Sequence, residues 1–209
     1  MARAQLTQER SRERREALLE AALELFVEGG SRAVTHRAVA TRAGLPSATT
    51  TYYFSSIEHI VREALSRHLT TWIETLRSLT DVEFDTSADL DEAAAFIEMI
   101  FTVRAPEVAG TQIAIYLAAA RDPELRELAG DALRALDGLI VSVLTRLGVE
   151  TADDLAASVF SLIAGVALRR QSGVESDAEA ARVLALSLRH LLAAHLLGED
   201  QITAALTRA

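Results

Sequence analysis

The sequence predicts an all-α protein, and three observations carry the prediction. Half of the 209 residues are hydrophobic although only 5% are aromatic, so the core is aliphatic. Apolar positions recur three and four apart along most of the chain, as one face of a helix requires. Glycine and proline number only 10 and 3, which suits long helices with short connections. No stretch alternates as a strand does, and no segment repeats. The length suffices for one large domain or two small ones with a hydrophobic core.

The elements follow in order. The first helix reads as 8–28, its inner face formed by Leu18, Leu19, Ala22, Leu25 and Phe26, and Gly29-Gly30 stops it. Thr35 is placed to cap a short helix from His36 to Ala43, with Val39 and Ala40 inward and Gly44 as its end. Pro46-Ser47 restarts the chain into a second short helix reaching about Tyr53. Ser55 and Glu58 read as a capping box that opens a long helix, 56–79. Its inner face is Ile60, Ala64, Leu65, Leu69, Trp72, Ile73 and Leu76. A polar loop over 80–88 precedes helices at 88–103 and 107–120. Asp122-Pro123 starts a helix that runs to Leu147, stopped by Gly148. Thr151 is placed to cap a helix to about Ser172, and the last long helix, 177–197, ends at Gly198 before a short piece over 200–207.

Composition excludes several classes. The chain has no cysteine, hence no disulfide, thiolate metal site or cysteine nucleophile. The arginine-rich start lacks a following apolar stretch, and no apolar run reaches the ~18 residues that span a bilayer. A cytoplasmic protein without a membrane partner is expected. Gly-x-Ser-x-Gly, a phosphate-cradling glycine loop and His-Glu-x-x-His are all missing, so neither catalysis nor a cofactor is expected. His190 and His195 are five apart, a poor spacing for one metal on one helix face. Net charge is −9, but it is unevenly spread: residues 1–67 sum to +2 and residues 68–209 to −11. All 21 basic residues are arginine.

Segment 32–60 is the informative one. Two short helices joined by Gly44-Leu45-Pro46 have the spacing of a helix-turn-helix. The second of them is expected to expose Ser47, Thr49, Thr50, Thr51, Tyr52 and Tyr53. Hydroxyls on short side chains approach phosphates and base edges in a major groove without obstruction.

These residues resemble the TetR/AcrR family of regulators. The match runs through Ala21-Ala22-x-x-Leu25-Phe26, Gly30, Thr35, Val39-Ala40, Ala43-Gly44-Leu45, Tyr52-Tyr53-Phe54 and Glu58, about 45 residues in the right order. The resemblance implies an N-terminal three-helix helix-turn-helix DNA-binding domain over 1–55. It implies a C-terminal helical ligand-binding and dimerisation domain over 56–209. Double-stranded operator DNA would be met by Thr35, His36, Arg37, Ser47, Ala48, Thr49, Thr50, Thr51, Tyr52, Tyr53 and His59. Phe54 would pack in the small domain's core. One departure stands out: Ile57 occupies the place of the family's usual lysine, leaving Ser55, His59 or backbone N–H groups to meet a phosphate there.

The remaining implications concern the C-terminal part. Helix 177–197 is apolar over most of its circumference, so it is buried on two sides. The family would place it and helix 151–172 in a four-helix homodimer interface. An unknown small-molecule effector would lie among His68, Trp72, Phe96, Met99, Ile100, Arg104, Gln112 and Tyr116. The expected function is a ligand-responsive DNA-binding repressor. Two alternatives stay open: a DNA-binding regulator without a small ligand, and a helical interaction module whose helix-turn-helix is degenerate.

Overall fold

The computed structural model describes residues 2–80, 106–146, 148–174 and 176–207, and among these residues every regular element is a helix. In chain order they are α1 (Ala2–Gly29), α2 (His36–Arg42), α3 (Ala48–Tyr53), α4 (Ile57–Thr80), α5 (Pro106–Ala119), α6 (Pro123–Arg146), α7 (Ala152–Gln171) and α8 (Asp177–Thr207). The expected helix 88–103 and the loop before it lie outside the described residues. The chain divides into two compact units, Met1–Trp72 with Ala114–Gly130, and Ile73–Ile113 with Asp131–Ala209.

The first unit is organised on α1. Its residues Leu18, Leu19, Ala21, Ala22, Leu25 and Phe26 are buried, as are Val34, Val39, Ala40, Phe54, Ile60, Ala64, Leu65 and Leu69. The spacing of the α1 set is that of one helix face, as the sequence predicts. Arginine–carboxylate pairs frame this core. Arg42 on α2 grips Glu28 with both terminal nitrogens at 2.8 Å and reaches Glu24 at 3.0 Å. That bidentate contact holds the Glu28 carboxyl below its usual range. Arg67 on α4 meets Glu16 at 2.6 Å, and Arg62 meets Asp122 at 2.9 Å and Glu124 at 3.2 Å. Exposed pairs contribute little stability singly, so their role here is to set helix orientation.

The second unit buries Ile73 and Leu76, then Ala132, Leu136, Leu139, Ile140, Val143 and Leu144 of α6. α7 and α8 pack together, contributing Ala152, Leu155, Val159, Ile163 and Val166 from one and Ala180, Leu184, Leu188 and Leu192 from the other. The Arg146 guanidinium donates to the Thr80 carbonyl at 2.7 Å and so satisfies one of the C-terminal carbonyls of α4. By length and composition α8 has the span of a bilayer. It is interrupted, however, by Gly198 at φ 76°, ψ 162°, which divides it where the sequence places a stop.

Two local expectations are corrected. The cap of α4 is Ser56, whose Oγ accepts from the His59 N–H at 3.1 Å, and not Ser55. Phe54 is still extended, at φ −132°, ψ 132°, and the helix begins at Ile57, which leaves Ser55 one residue too early. A true capping box stands at α8 instead. The Ser176 N–H donates to Glu179 Oε2 at 3.0 Å, and the Glu179 N–H donates to Ser176 Oγ at 3.3 Å. Thr151 precedes α7 as expected but caps nothing with its side chain, because the residue is left-handed at φ 55° and its hydroxyl lies 3.1 Å from His195 Nε2. Nε2 is also 3.0 Å from the Glu150 carbonyl, which can only accept, so this nitrogen carries the proton.

The turn between α2 and α3 is a Schellman motif. Gly44 N–H donates to the Thr41 carbonyl at 3.1 Å and Leu45 N–H to the Ala40 carbonyl at 2.9 Å. Gly44 has φ +66°, yet a Cβ there would meet no atom within 4 Å. The demand for glycine is therefore one of backbone conformation alone. Gly44→Ala is expected to lower unfolding stability by about 1–2 kcal/mol, read as a lower urea midpoint by circular dichroism, with Gly44→Asn falling between the two.

Candidate nucleic-acid interface

The α2–α3 pair presents the candidate surface. Thr35, extended at φ −131°, ψ 154°, accepts the Ala38 N–H at 3.1 Å and caps α2 as predicted. His36 and Arg37 occupy the first helical turn behind it, His36 half-buried and Arg37 exposed. Val39 and Ala40 face inward, so α2 lies flat on α1. After the Gly44 turn, the Pro46 carbonyl accepts the Thr49 N–H at 2.8 Å and α3 begins. Ser47 is exposed and makes no cap bond with its side chain.

On α3 the residues separate into an outer and an inner set. Ser47, Ala48, Thr51 and Tyr52 are exposed, Tyr52 to 80%, and Thr49 is half-buried. Thr50 is fully buried, at 0%, contrary to its expected exposure. Its Oγ1 donates to the Ser47 carbonyl at 2.9 Å and lies 3.1 Å from His36 Nδ1. Thr50 therefore ties the start of α3 to the start of α2 and does not reach a groove. The reason is geometric: on a six-residue helix whose outer face holds residues 47, 48, 51 and 52, position 50 turns inward.

The end of α3 is anchored on α1. Tyr53 is half-buried, and its hydroxyl is 2.9 Å from Ser11 Oγ. Tyr52 meets the Tyr53 ring edge-on at 4.9 Å, so the exposed tyrosine leans on the anchored one. Phe54 is buried, as expected, between the Arg15 guanidinium, 5.3 Å over its ring, and His59. Arg15 also pairs with Glu63, joining α1 to α4. His59 is exposed, with Nδ1 3.3 Å from Ser55 Oγ and Nε2 3.6 Å from Glu63. Neither Arg15 nor Ser11 appears among the site residues expected from sequence, because nothing local marks a residue 42 positions away as the partner of Tyr53.

Ile57 is half-buried and lines a cavity of about 580 Å³ in the first unit, together with Phe26, Val27, Val61, Leu65 and Leu117. An apolar side chain suits that place. None of the expected effector residues lines this cavity. Of those, Phe96, Met99, Ile100 and Arg104 lie outside the described residues. His68 and Trp72 stand one turn apart on α4, both half-buried, and Trp72 Nε1 is buried without a hydrogen-bond acceptor. Gln112 is buried and Tyr116 half-buried, one turn apart on α5. Among the described residues no group of three or more histidines or carboxylates could hold a metal ion.

Comparison with known proteins identifies the family. The sequence model described as bacterial regulatory proteins, tetR family, matches residues 18–64. The one described as the tetracyclin repressor-like C-terminal domain matches residues 85–194, more than half of the chain. A curated relative, the HTH-type transcriptional regulator BetI of Rhizobium meliloti, is 29% identical over 168 residues, which is 75% of this chain and 77% of that protein. A transcriptional regulator from Saccharomonospora viridis in complex with choline superposes with a TM-score of 0.69 at 22% identity, over 85% of this chain and 96% of that one. The multidrug binding protein EbrR, complexed with proflavin, does so with a TM-score of 0.55 at 23% identity, over 84% and 99%. These two structures share the fold.

Burial holds the His68 imidazole below its ordinary pKa, since desolvation disfavours the cation. The unfolded chain then binds the proton more readily than the native one. Stability contributed by neutral His68 is complete above about pH 6.5 and declines as pH falls through the lowered native value. The thermal midpoint is expected to drop between pH 7.5 and pH 5.5, and His68→Gln to reduce that drop. An unchanged pH dependence in the variant would contradict the assignment.

Proposed function

Because the chain belongs to the tetR family of bacterial regulatory proteins, we propose that this DNA-binding transcriptional regulator acts as a homodimeric repressor released from its operator by a small molecule. The observation that carries the reading is the division of α3 into an exposed face, Ser47, Ala48, Thr51 and Tyr52, and a buried anchor, Thr50. A helix fixed from behind and bare in front is what insertion into a major groove needs. Thr35, His36, Arg37, Thr49, Tyr53 and His59 border that face and complete the contact set. Thr50 serves as its support.

The functional division is at residue 55, with the DNA-binding domain before it, joined by His59 just beyond, and effector binding and dimerisation after it. The effector would be held by His68, Trp72, Gln112 and Tyr116 of the described residues, with Phe96, Met99, Ile100 and Arg104 as further members. The buried indole N–H of Trp72, one turn from His68 on α4, has no acceptor of its own and offers a hydrogen bond to a ligand. Choline is the first probe, since a relative in fold binds it and aromatic rings hold quaternary ammonium groups. Effector and operator oppose each other because they favour different conformations of the helix that follows α3. The protein works in the cytoplasm, where its DNA is, and its role is regulatory.

Pairing of two copies is supported by the outward side of α7 and α8. Leu168, Leu186, Leu196 and Leu197 are 59%, 47%, 56% and 52% exposed in the single chain. Apolar side chains this concentrated on two adjacent helices mark an interface. A two-fold dimer also matches two half-sites about one helical turn apart.

Three outcomes are expected. Fluorescence anisotropy with the DNA upstream of the protein's own gene should show tight binding that weakens with salt and exceeds binding to scrambled DNA. Choline should then release the operator and alter the emission of Trp72, the single tryptophan of the chain. Absence of any DNA binding by a folded dimer would overturn the reading. In analytical ultracentrifugation the wild type should sediment as a dimer, and Leu186→Glu should shift it toward monomer while the helical spectrum is kept.

A further inference from the structure

α1 extends well before the family-matched part of the DNA-binding unit. It begins at Ala2, whereas the family match begins at residue 18. This leading part carries Arg10, Arg12, Arg14 and Arg15. Arg15 is committed, to Glu63 and to the face of Phe54. Arg10, Arg12 and Arg14 are exposed and make no hydrogen bond or ion pair among the described residues. Three uncommitted cations on one short stretch are conspicuous in a chain of net charge −9.

Their directions follow from helix geometry, in which each residue advances about 100°. Leu18, Ala22 and Leu25 define the buried side of α1, and Ser11 falls on it, bonded to Tyr53 at the end of α3. Arg14 lies roughly 60° and Arg10 roughly 100° to one side of Ser11, and Arg12 roughly 100° to the other. The side of Arg10 and Arg14 is also that of Glu24 and Glu28, which grip Arg42 of α2. The side of Arg12 is turned toward α4, where Glu63 and Arg67 receive Arg15 and Glu16. The acids Glu9 and Glu13 fall roughly 160° from Ser11, on the back of the helix. By helix geometry Arg10 and Arg14 thus fall on the α2 side of Ser11, which meets Tyr53, while Glu9 and Glu13 point away from Ser11.

We propose that Arg10 and Arg14 extend the DNA interface, each neutralising a backbone phosphate on the wall of the groove that α3 enters. The assignment rests on the DNA-binding reading above and adds to its contact set. It also answers the place of Ile57: the start of α4 offers no cation there, and the first turns of α1 supply two. The contact is to the sugar–phosphate backbone, so it positions the protein without reading sequence.

The test is the salt dependence of binding by the full-length protein, with operator and scrambled DNA side by side. Removing a phosphate contact lowers the slope of log affinity against log salt by roughly one. Arg10→Ala with Arg14→Ala is expected to lower the slope by about two and to weaken both DNAs by the same factor, at least about tenfold at low salt. Arg12→Ala should leave the slope at its wild-type value, and Arg10→Lys with Arg14→Lys should retain it. A wild type that binds normally beside an unchanged double alanine variant overturns this proposal alone. An equal loss with Arg12→Ala also overturns it, since the effect would then be general charge. A wild type with no salt-dependent binding overturns the DNA reading and this proposal together.

Discussion

Short helices need a platform, and that constraint governs the DNA-binding unit. α2 has seven residues and α3 six, far below the length at which a helix holds itself in water. They persist because α1 offers a continuous buried strip from Leu18 to Phe26 and because both ends of the pair are tied down. Arg42 clamps α2 to Glu24 and Glu28, and Tyr53 clamps the end of α3 to Ser11. Between them the Gly44 turn sets the angle, and the buried Thr50 hydroxyl joins the two helix starts. Once these contacts exist, the outward position of Ser47, Ala48, Thr51 and Tyr52 follows.

An acidic protein that binds a polyanion has to segregate its charge. Here four arginines of the first unit are spent on carboxylates, Arg15 on Glu63 among them. Arg42 takes Glu24 and Glu28, Arg67 takes Glu16, and Arg62 takes Asp122 and Glu124. Those pairs neutralise acids that would otherwise repel phosphate, and they brace the helices. The net result is a candidate contact surface made mainly of hydroxyls and aromatic rings. Its long-range attraction to DNA then depends on the arginines not spent on carboxylates.

Arg62 has a further structural consequence. Asp122 both receives Arg62 and, through Oδ1, accepts the Glu124 N–H at 3.0 Å at the start of α6. The Arg62 guanidinium beside it holds the Asp122 carboxyl below the usual range. One carboxylate thereby links the second turn of α4 to the cap of α6. α4 starts only four residues after α3 ends, so the recognition helix, its successor and the cap of α6 form one connected set within the first unit.

Much of this protein was legible in its sequence, because much of it is decided locally. Apolar spacing of three and four specifies the buried face of a helix wherever that helix packs, and Leu18, Ile60 and Leu69 are buried accordingly. Glycine stops at 44, 148, 173 and 198 follow from backbone sterics, and each adopts a positive φ. The family resemblance, too, rested on residues of the α1–α4 run alone. What needed tertiary structure were choices between near-equivalent neighbours. Ser56 caps α4 in place of Ser55 because the chain stays extended through Phe54. Thr50 turns inward while Thr51 stays out, because helix rotation is set by the platform and not by the threonines themselves. Thr151 turns to His195, and Tyr53 to Ser11, across 44 and 42 positions. Sequence states what a side chain can bond; only packing decides which distant partner arrives first.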